Sequence, residues 1–236
     1  MTASAILEEL RPLGKASYKK VMMMNHGVPE PVFGVPVSEL QKIRKRIKKD
    51  YQLALDLYDT GNYDAMYLAG LIADDARMTP KDLQHWADKA VSGGLAGATV
   101  PGVAAGGPHG HAIALKWIES KKDHIAVAGW ATLSARISVK KDDDLDLAEL
   151  KQLLARVQKE IHKAPDLVRY QMNNFVIALG AYVASLTEAA IKAGEKIGPV
   201  TADLGNNACQ IPYAPDYIKK IQDRGSIGKK RKSAKC

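Results

Sequence analysis

Six cations fall within eight residues of one segment of this chain. They are Lys42, Arg44, Lys45, Arg46, Lys48 and Lys49. Because Leu40, Ile43 and Ile47 recur at helical spacing, the segment predicts an amphipathic helix with basic residues on its other faces. A phosphate backbone is one partner for such a surface, and we predict DNA binding by these six residues. The alternative from charge alone is a solvated outer helix.

The C-terminus repeats this basic character. Residues 229–232 read Lys-Lys-Arg-Lys, and Lys235 follows. A tail of this kind is commonly disordered, and it either holds nucleic acid loosely or does nothing specific. The net charge of the whole chain is +8, which suits a polyanionic partner but also suits an enzyme with a basic surface.

Two histidines are the candidates for acid–base or nucleophilic chemistry. His109 and His111 flank one glycine at a predicted helix start, and neutral imidazole suits either role. Residues two apart do not share a helix face, so a metal pair on a helix is not expected. The alternative is that both are polar helix-start residues without chemistry. We predict no metal site and no cofactor.

The stretch between Lys89 and Lys116 contains no charged residue and no aromatic ring. Six glycines lie between Ser92 and Gly107, although each costs a helix about 1 kcal/mol relative to alanine. Glycine also leaves no side chain to fill a core. The stretch therefore predicts a hole, a hinge or an emptied site within a helical protein.

The larger aromatic residues have two possible roles. Aromatic rings that line a cleft can stack on bases. The candidates are Trp86, Trp117, Trp130, Tyr170, Phe175 and Tyr182. At helical spacing, aromatic residues belong more often to the core.

Helical periodicity recurs along the chain with short breaks, and strand signals are nearly absent before residue 197. Thr79, Pro80 and Asp82 form a strong helix start, with a cap, a proline and an acidic first turn. The rhythm of about one helix per 15 to 20 residues predicts an α-solenoid of helical hairpins. We expect an all-α protein with a repeat domain over 1–197 and an irregular, basic-tailed extension over 198–236.

The remaining composition limits location and assembly. Two cysteines, Cys209 and Cys236, are too few for a disulfide framework, so a reducing cytoplasm is expected. Pro101, Pro108 and the glycines argue against a membrane span in the uncharged stretch. We expect a monomer that does not enter a membrane.

Several segments resemble the AlkD-like DNA alkylation repair family. They are 33–49, 54–65, 69–74 and 83–87, and the resemblance extends from Lys15 to about Lys196. It implies a solenoid of HEAT-like repeats with a concave basic face that binds duplex DNA. In the glycosylase members, a carboxylate and aromatic rings in the cleft help to excise positively charged alkylated purines.

The chain departs from that family where the chemistry is expected. The family pattern places an aromatic residue at position 93 and an acid at position 97, and both are glycine here. An expected arginine pair falls near Gly129-Trp130, while Phe175 corresponds to a retained aromatic. Glycine cannot stabilise a developing sugar cation as a carboxylate does. We therefore expect excision to be lost or weak.

An engineered scaffold is the alternative explanation for the small residues. In that hypothesis the cleft from Gly93 to Gly107 has been cleared to bind or transform a small molecule, with His109 or His111 as candidate groups. It predicts a cavity bounded by Gly93, Gly97 and Gly102, beside the rings of Trp86, Trp130 and Phe175.

Overall fold

Helices make up the regular structure of this chain in the computed structural model, which describes residues 1–90, 92–205 and 210–235. Within those ranges there are 13 α-helices and no strand. The helices are α1 (Ala3–Leu10), α2 (Ala16–His26), α3 (Val37–Ile47), α4 (Tyr51–Asp59), α5 (Tyr63–Ile72), α6 (Pro80–Lys89), α7 (Val100–Gly106), α8 (Gly110–Trp117), α9 (Asp123–Val139), α10 (Leu147–Glu160), α11 (Asp166–Tyr182), α12 (Thr187–Ile197) and α13 (Ala214–Asp223). The all-helical prediction is confirmed. Cys209 and Cys236 lie outside the described residues.

Consecutive helices pair, and the second members of the pairs form a continuous layer. The pairs are α4 with α5, α6 with α7, α8 with α9, α10 with α11, and α12 with α13. The second helices contact one another in order, from α5 through α7, α9 and α11 to α13. This is the packing expected of stacked helical hairpins, in which each repeat contacts its neighbours.

Side-chain caps begin several of these helices where the sequence predicts a start. Thr79 accepts the backbone N–H of Asp82, and Asp82 in turn accepts the N–H of Thr79. This reciprocal capping box satisfies two N–H groups that have no partner inside the helix. Asn62 caps α5 by accepting the N–H groups of Asp64 and Ala65.

A buried carboxylate holds the linker that leads into the basic helix α3. Asp64 accepts the backbone N–H groups of Phe33 and Gly34 at 2.7 and 3.1 Å, and that of Val35 at 2.8 Å. Gly34 has a φ of +79°, and a Cβ there would lie 2.5 Å from the nitrogen of Lys19. Only glycine fits, so the Phe-Gly-Val segment and Asp64 together position α3 against α5.

The C-terminal extension packs onto the repeat domain instead of standing apart from it. Helix α13 contacts both α11 and α12, and its Ile218 is fully buried. A Cβ at Gly180 would lie 2.5 Å from Cδ1 of Ile218, so α11 needs glycine where α13 crosses it. Residues from Ala214 onward are therefore part of the same packed structure.

In the part of the chain that is described, no single helix is both long and apolar enough to cross a membrane. One pair of helical segments, Asp166–Tyr182 and Ala184–Ile197, meets the length and composition test together but is bent by 117°.

Replacing Asp64 tests its role in positioning the linker. Asp64→Ala leaves three backbone N–H groups without their acceptor, and we expect the free energy of unfolding to fall by about 3 kcal/mol. Urea denaturation followed by circular dichroism measures the change. Asp56→Ala, an exposed position on α4 that bonds only Gln52 among the described residues, is the matched control and should change stability by less than about 0.5 kcal/mol. Equal losses in the two variants would contradict this role.

Candidate nucleic-acid interface

The six cations of the predicted DNA-binding segment are all exposed, and they lie on or just after α3. Leu40 and Ile43 are buried beneath them, at 2% and 3% exposure. The apolar residues fix α3 on the protein through one face, so the charged side chains must project to solvent from the others. Lys48 has a φ of +66° and ends the helix, after which Asp50 caps α4.

Acidic neighbours partly neutralise this surface. Lys42 pairs with Glu39 at 2.9 Å, Arg46 with Glu9 at 2.5 Å, and Lys49 with Asp74 at 3.7 Å. The hydrogen bond from Arg46 to Glu9 raises the pKa of that guanidinium. Such exposed pairs contribute about 0–1 kcal/mol each, so a phosphate can displace the carboxylate at little cost.

The other three cations have no acidic partner among the described residues. Arg44 donates to the neutral amide oxygen of Gln41 at 3.1 Å, and Lys45 and Lys48 have no ion pair within the described ranges. Of the six cations on and just after α3, these three are therefore the most available to an external anion.

The glycines of the uncharged stretch serve mainly to let chain segments approach closely. A Cβ at Gly110 would collide with the carbonyl oxygen of Ala104, and a Cβ at Gly107 with the carbonyl oxygen of Asp75. A Cβ at Gly94 would lie 2.6 Å from the hydroxyl oxygen of Tyr63. The stretch remains helical through most of its length, with a π-helical turn over Leu95–Thr99 before α7.

The three glycines predicted to bound one cavity lie in three different environments. Gly93 has open space around it, whereas a Cβ at Gly97 would lie 3.0 Å from Nε2 of Gln171. A Cβ at Gly102 would lie 3.2 Å from the carbonyl oxygen of Ala234, because the C-terminal tail covers it. These positions therefore do not border a common cavity, and the stretch is not a single emptied space.

An open cleft of about 550 Å³ does border Gly93. It lies between the end of α2, the start of the glycine-rich stretch and α11. Its lining includes His26, Gly93, Gly94, Tyr170, Gln171 and Asp203. Asp203 brings a carboxylate to this cleft from the loop after α12, and sequence reasoning missed it because that loop carries no motif. Its Oδ1 accepts the N–H of Gly205 at 2.8 Å.

The rings of Trp86, Trp130 and Phe175 belong to the core and do not line a cleft. All three are at most 1% exposed. Trp86 stacks on Tyr58 with ring centroids 4.1 Å apart, and Trp130 meets Phe175 edge to face at 5.3 Å. Buried rings at these separations stabilise helix packing, and none of the three can stack on a base. The aromatic side chain that lines the cleft is that of Tyr170, which is half-buried.

The two candidate histidines lie away from the cleft that borders Gly93. His109 is exposed at the start of α8, and His111 contacts Glu149 of α10 with Nε2 2.7 Å from Oε1. Neither lines that cleft. Among the described residues there is also no group of three or more His, Cys, Asp or Glu side chains arranged to hold a metal ion.

Comparison with known proteins gives the family of the chain. The sequence model of the DNA alkylation repair enzyme family matches residues 6–218. The chain belongs to the DNA alkylation repair family. This confirms the resemblance found in the segments around α3, α4 and α5.

Two relatives come from Listeria. Uncharacterized proteins of Listeria innocua and Listeria monocytogenes are each 30% identical to this chain over 226 residues, covering 92% of this chain and 95% of the relative.

A solved structure matches the whole fold. It was described as a new family of proteins related to the HEAT-like repeat DNA glycosylases, with affinity for branched DNA structures. The TM-score is 0.90 and the sequence identity is 34%, with 100% of both chains covered. The helical hairpins of this protein are therefore HEAT-like repeats.

Some glycines of the stretch face open space and others lie where two segments approach closely, and substitution by alanine should affect stability in opposite directions at the two. Gly93→Ala places a methyl group in open space on a helix, and we expect it to raise the free energy of unfolding by about 0.5–1 kcal/mol. Gly110→Ala forces α7 and α8 apart, and we expect a loss of about 3 kcal/mol. Chemical denaturation of both variants checks this, and equal effects of the two would show that close approach is not the reason for glycine.

Proposed function

We propose that this protein binds branched DNA through a concave basic surface built on α3, and that it excises alkylated bases weakly or not at all. The carrying observation is the exposed set of six cations on and beside α3, three of them without an acidic partner in the described ranges. These cations are held in place by the buried apolar face of α3, and their charged ends are open to solvent. When such cations bind DNA phosphates, counterions are released from the DNA, which favours binding.

Branched DNA is favoured over simple duplex for two reasons. The structural relative that covers the whole chain has affinity for branched DNA structures. A junction also brings phosphates of several arms near one point, so an extended basic surface can neutralise more of them at once.

The cleft supports the second part of the proposal. Gly93 and Gly97 supply neither the aromatic ring nor the carboxylate that the family's excision chemistry uses at those positions. The carboxylate that does line the cleft, Asp203, is exposed and is already hydrogen-bonded to its own loop. A hydrated carboxylate stabilises a nearby positive charge far less than one in a dry site.

Removing the three unpaired cations of α3 tests DNA binding. We expect the triple variant Arg44→Gln, Lys45→Gln, Lys48→Gln to bind a four-way junction more weakly, because each lost phosphate contact lowers the slope of log K against log salt by about 0.9. Fluorescence anisotropy at several salt concentrations, with a linear duplex of equal length, measures both affinity and preference.

A matched variant controls for net charge. Lys151, Lys159 and Lys192 are exposed on α10 and α12 and have no ion pair with described residues. Changing these three to Gln removes the same charge and should leave the salt slope unchanged. If both triple variants lose affinity equally, or if the wild type prefers duplex to junction, α3 is not the proposed branched-DNA surface.

Excision is tested directly on methylated DNA. We expect release of 3-methyladenine and 7-methylguanine at the spontaneous rate, measured by chromatography, with Asp203→Asn indistinguishable from the wild type. Release well above the spontaneous rate that Asp203→Asn abolishes would overturn this part of the proposal and identify Asp203 as the carboxylate that replaces the family's acid.

A further inference from the structure

The C-terminal tail, residues 226–235, lies across the C-terminal ends of α5, α9 and α11, three helices of the continuous layer. Its hydrogen bonds go to the end of α11, the end of α9 and the residue that follows α5. The N–H of Gly228 donates to the carbonyl oxygen of Ala181 at 2.9 Å, that of Arg231 to Ser138 at 2.8 Å, and the Lys235 ammonium to Ala73 at 2.7 Å.

Helix ends explain why a basic segment docks there. The last carbonyl groups of a helix have no partner within it, and the helix dipole makes that end partly negative. The ends of α9 and α11 are neighbours in the layer, and the tail continues from them to the residue that follows α5. Cations and N–H donors of the tail therefore satisfy carbonyl groups that would otherwise need water.

Two lysines anchor the tail by ion pairs as well. Lys230 lies 2.8 Å from Oδ1 of Asp142 and donates to the carbonyl oxygen of Ile137 at 2.9 Å. The Lys235 ammonium lies 2.6 Å from Oδ1 of Asp75, with its side chain only 9% exposed. An ammonium this deeply buried requires its carboxylate, so the pair ties the end of the chain to the segment after α5.

The small residues of the uncharged stretch make room for the tail. Ala234 and Lys235 pass directly over Gly102, where a Cβ would lie 3.2 Å from the carbonyl oxygen of Ala234 and 3.4 Å from Cα of Lys235. The tail would have to shift by a few tenths of an ångström to accommodate even alanine there. The groove beside it is lined by further small side chains from α9 and α11, including Ala131, Ala135 and Ala178.

Lys235 of the tail lies near cations on and just after α3. Burial lowers the pKa of Lys235, and the positive charges of Lys49 and Arg44 lower it further, against the opposing effect of Asp75. Ion pairs show the same proximity: Lys235 contacts Asp75 at 2.6 Å, and Lys49, just after α3, contacts the adjacent Asp74 at 3.7 Å.

Three cations of the tail take no part in anchoring it through ion pairs with the described residues. Lys229, Arg231 and Lys232 are exposed and form no ion pair with the described residues. The backbone of Arg231 and Lys232 is held between the Lys230 and Lys235 anchors, which are at most about 18 Å apart along the chain. Lys229 lies between Lys230 and Gly228, whose N–H donates to the carbonyl oxygen of Ala181. A segment that is already held in place loses less conformational entropy when its cations bind phosphates than a free tail does.

We propose that the docked tail is a second, preorganised DNA-binding element, in which Lys229, Arg231 and Lys232 bind the phosphates of a branched DNA that also contacts α3. This rests on the proposed function, and it assigns to the tail a positioned role instead of loose attraction. A tail that merely blocks the groove is the competing outcome.

The three free cations give the first experiment. We expect Lys229→Gln, Arg231→Gln, Lys232→Gln to lower four-way-junction affinity by about tenfold or more at 0.1 M salt, and to reduce the salt slope by up to about 0.9 per residue. The Lys151, Lys159, Lys192 variant is again the charge-matched control. Equal behaviour of the tail variant and this control would overturn the proposal.

Releasing the anchors separates a positioned tail from simple charge. The variant Asp75→Asn, Asp142→Asn keeps every cation and removes two negative charges, which by bulk electrostatics alone should tighten DNA binding. We expect weaker junction binding instead, together with faster trypsin cleavage after Lys230 and unchanged helical content. Unchanged or tighter binding would overturn the proposal, the tighter result indicating a tail that blocks the surface.

Different results would contradict the proposed function and the DNA-binding role of the tail. If the wild type binds neither junction nor duplex, the proposed function and the tail element both fall. If the wild type binds junctions and the α3 variant weakens them, while the tail variant matches its control, only the tail element is wrong.

Discussion

Close approach of backbone to backbone is the constraint on which the rest of this structure depends. At Gly107 and Gly110 even one methyl group would collide with a carbonyl oxygen of a segment on another helix or turn. These contacts draw α7, α8 and the turn after α5 together. The same approach fixes the backbone of Asp75, whose carboxylate pairs with Lys235. Helix packing therefore also positions one of the anchors of the tail.

The glycines of the uncharged stretch between Lys89 and Lys116 have different surroundings at different positions. Gly93 opens onto a cleft, Gly97 faces an amide side chain, and Gly102 is covered by the chain's own C-terminus. The fold nonetheless matches that of the solved relative over the whole of both chains.

Charge is distributed in a related way on α3 and on the tail. In each, some cations are held by nearby carboxylates and others project to solvent without a partner in the described ranges. The ion pairs differ in how readily they exchange their partner. The Arg46–Glu9 pair is half exposed, whereas the Lys235 side chain in its pair with Asp75 is almost buried. Exposed pairs exchange readily with phosphate, and buried ones do not. The buried pairs therefore act as structural anchors, and the exposed cations remain available for binding.

The sequence by itself determined the helices, their starts at Asn62 and Thr79, and the exposed basic face of α3. These depend on propensity, capping and spacing within a few residues, which a linear pattern records. Only the tertiary structure decided that Trp86, Trp130 and Phe175 are core, that Asp203 reaches the cleft, and that the basic tail is docked. Each of these rests on contacts between segments far apart in the chain: Lys235 and Ala73 are separated by 162 positions. No local pattern specifies which distant carbonyl or carboxylate will meet a given lysine.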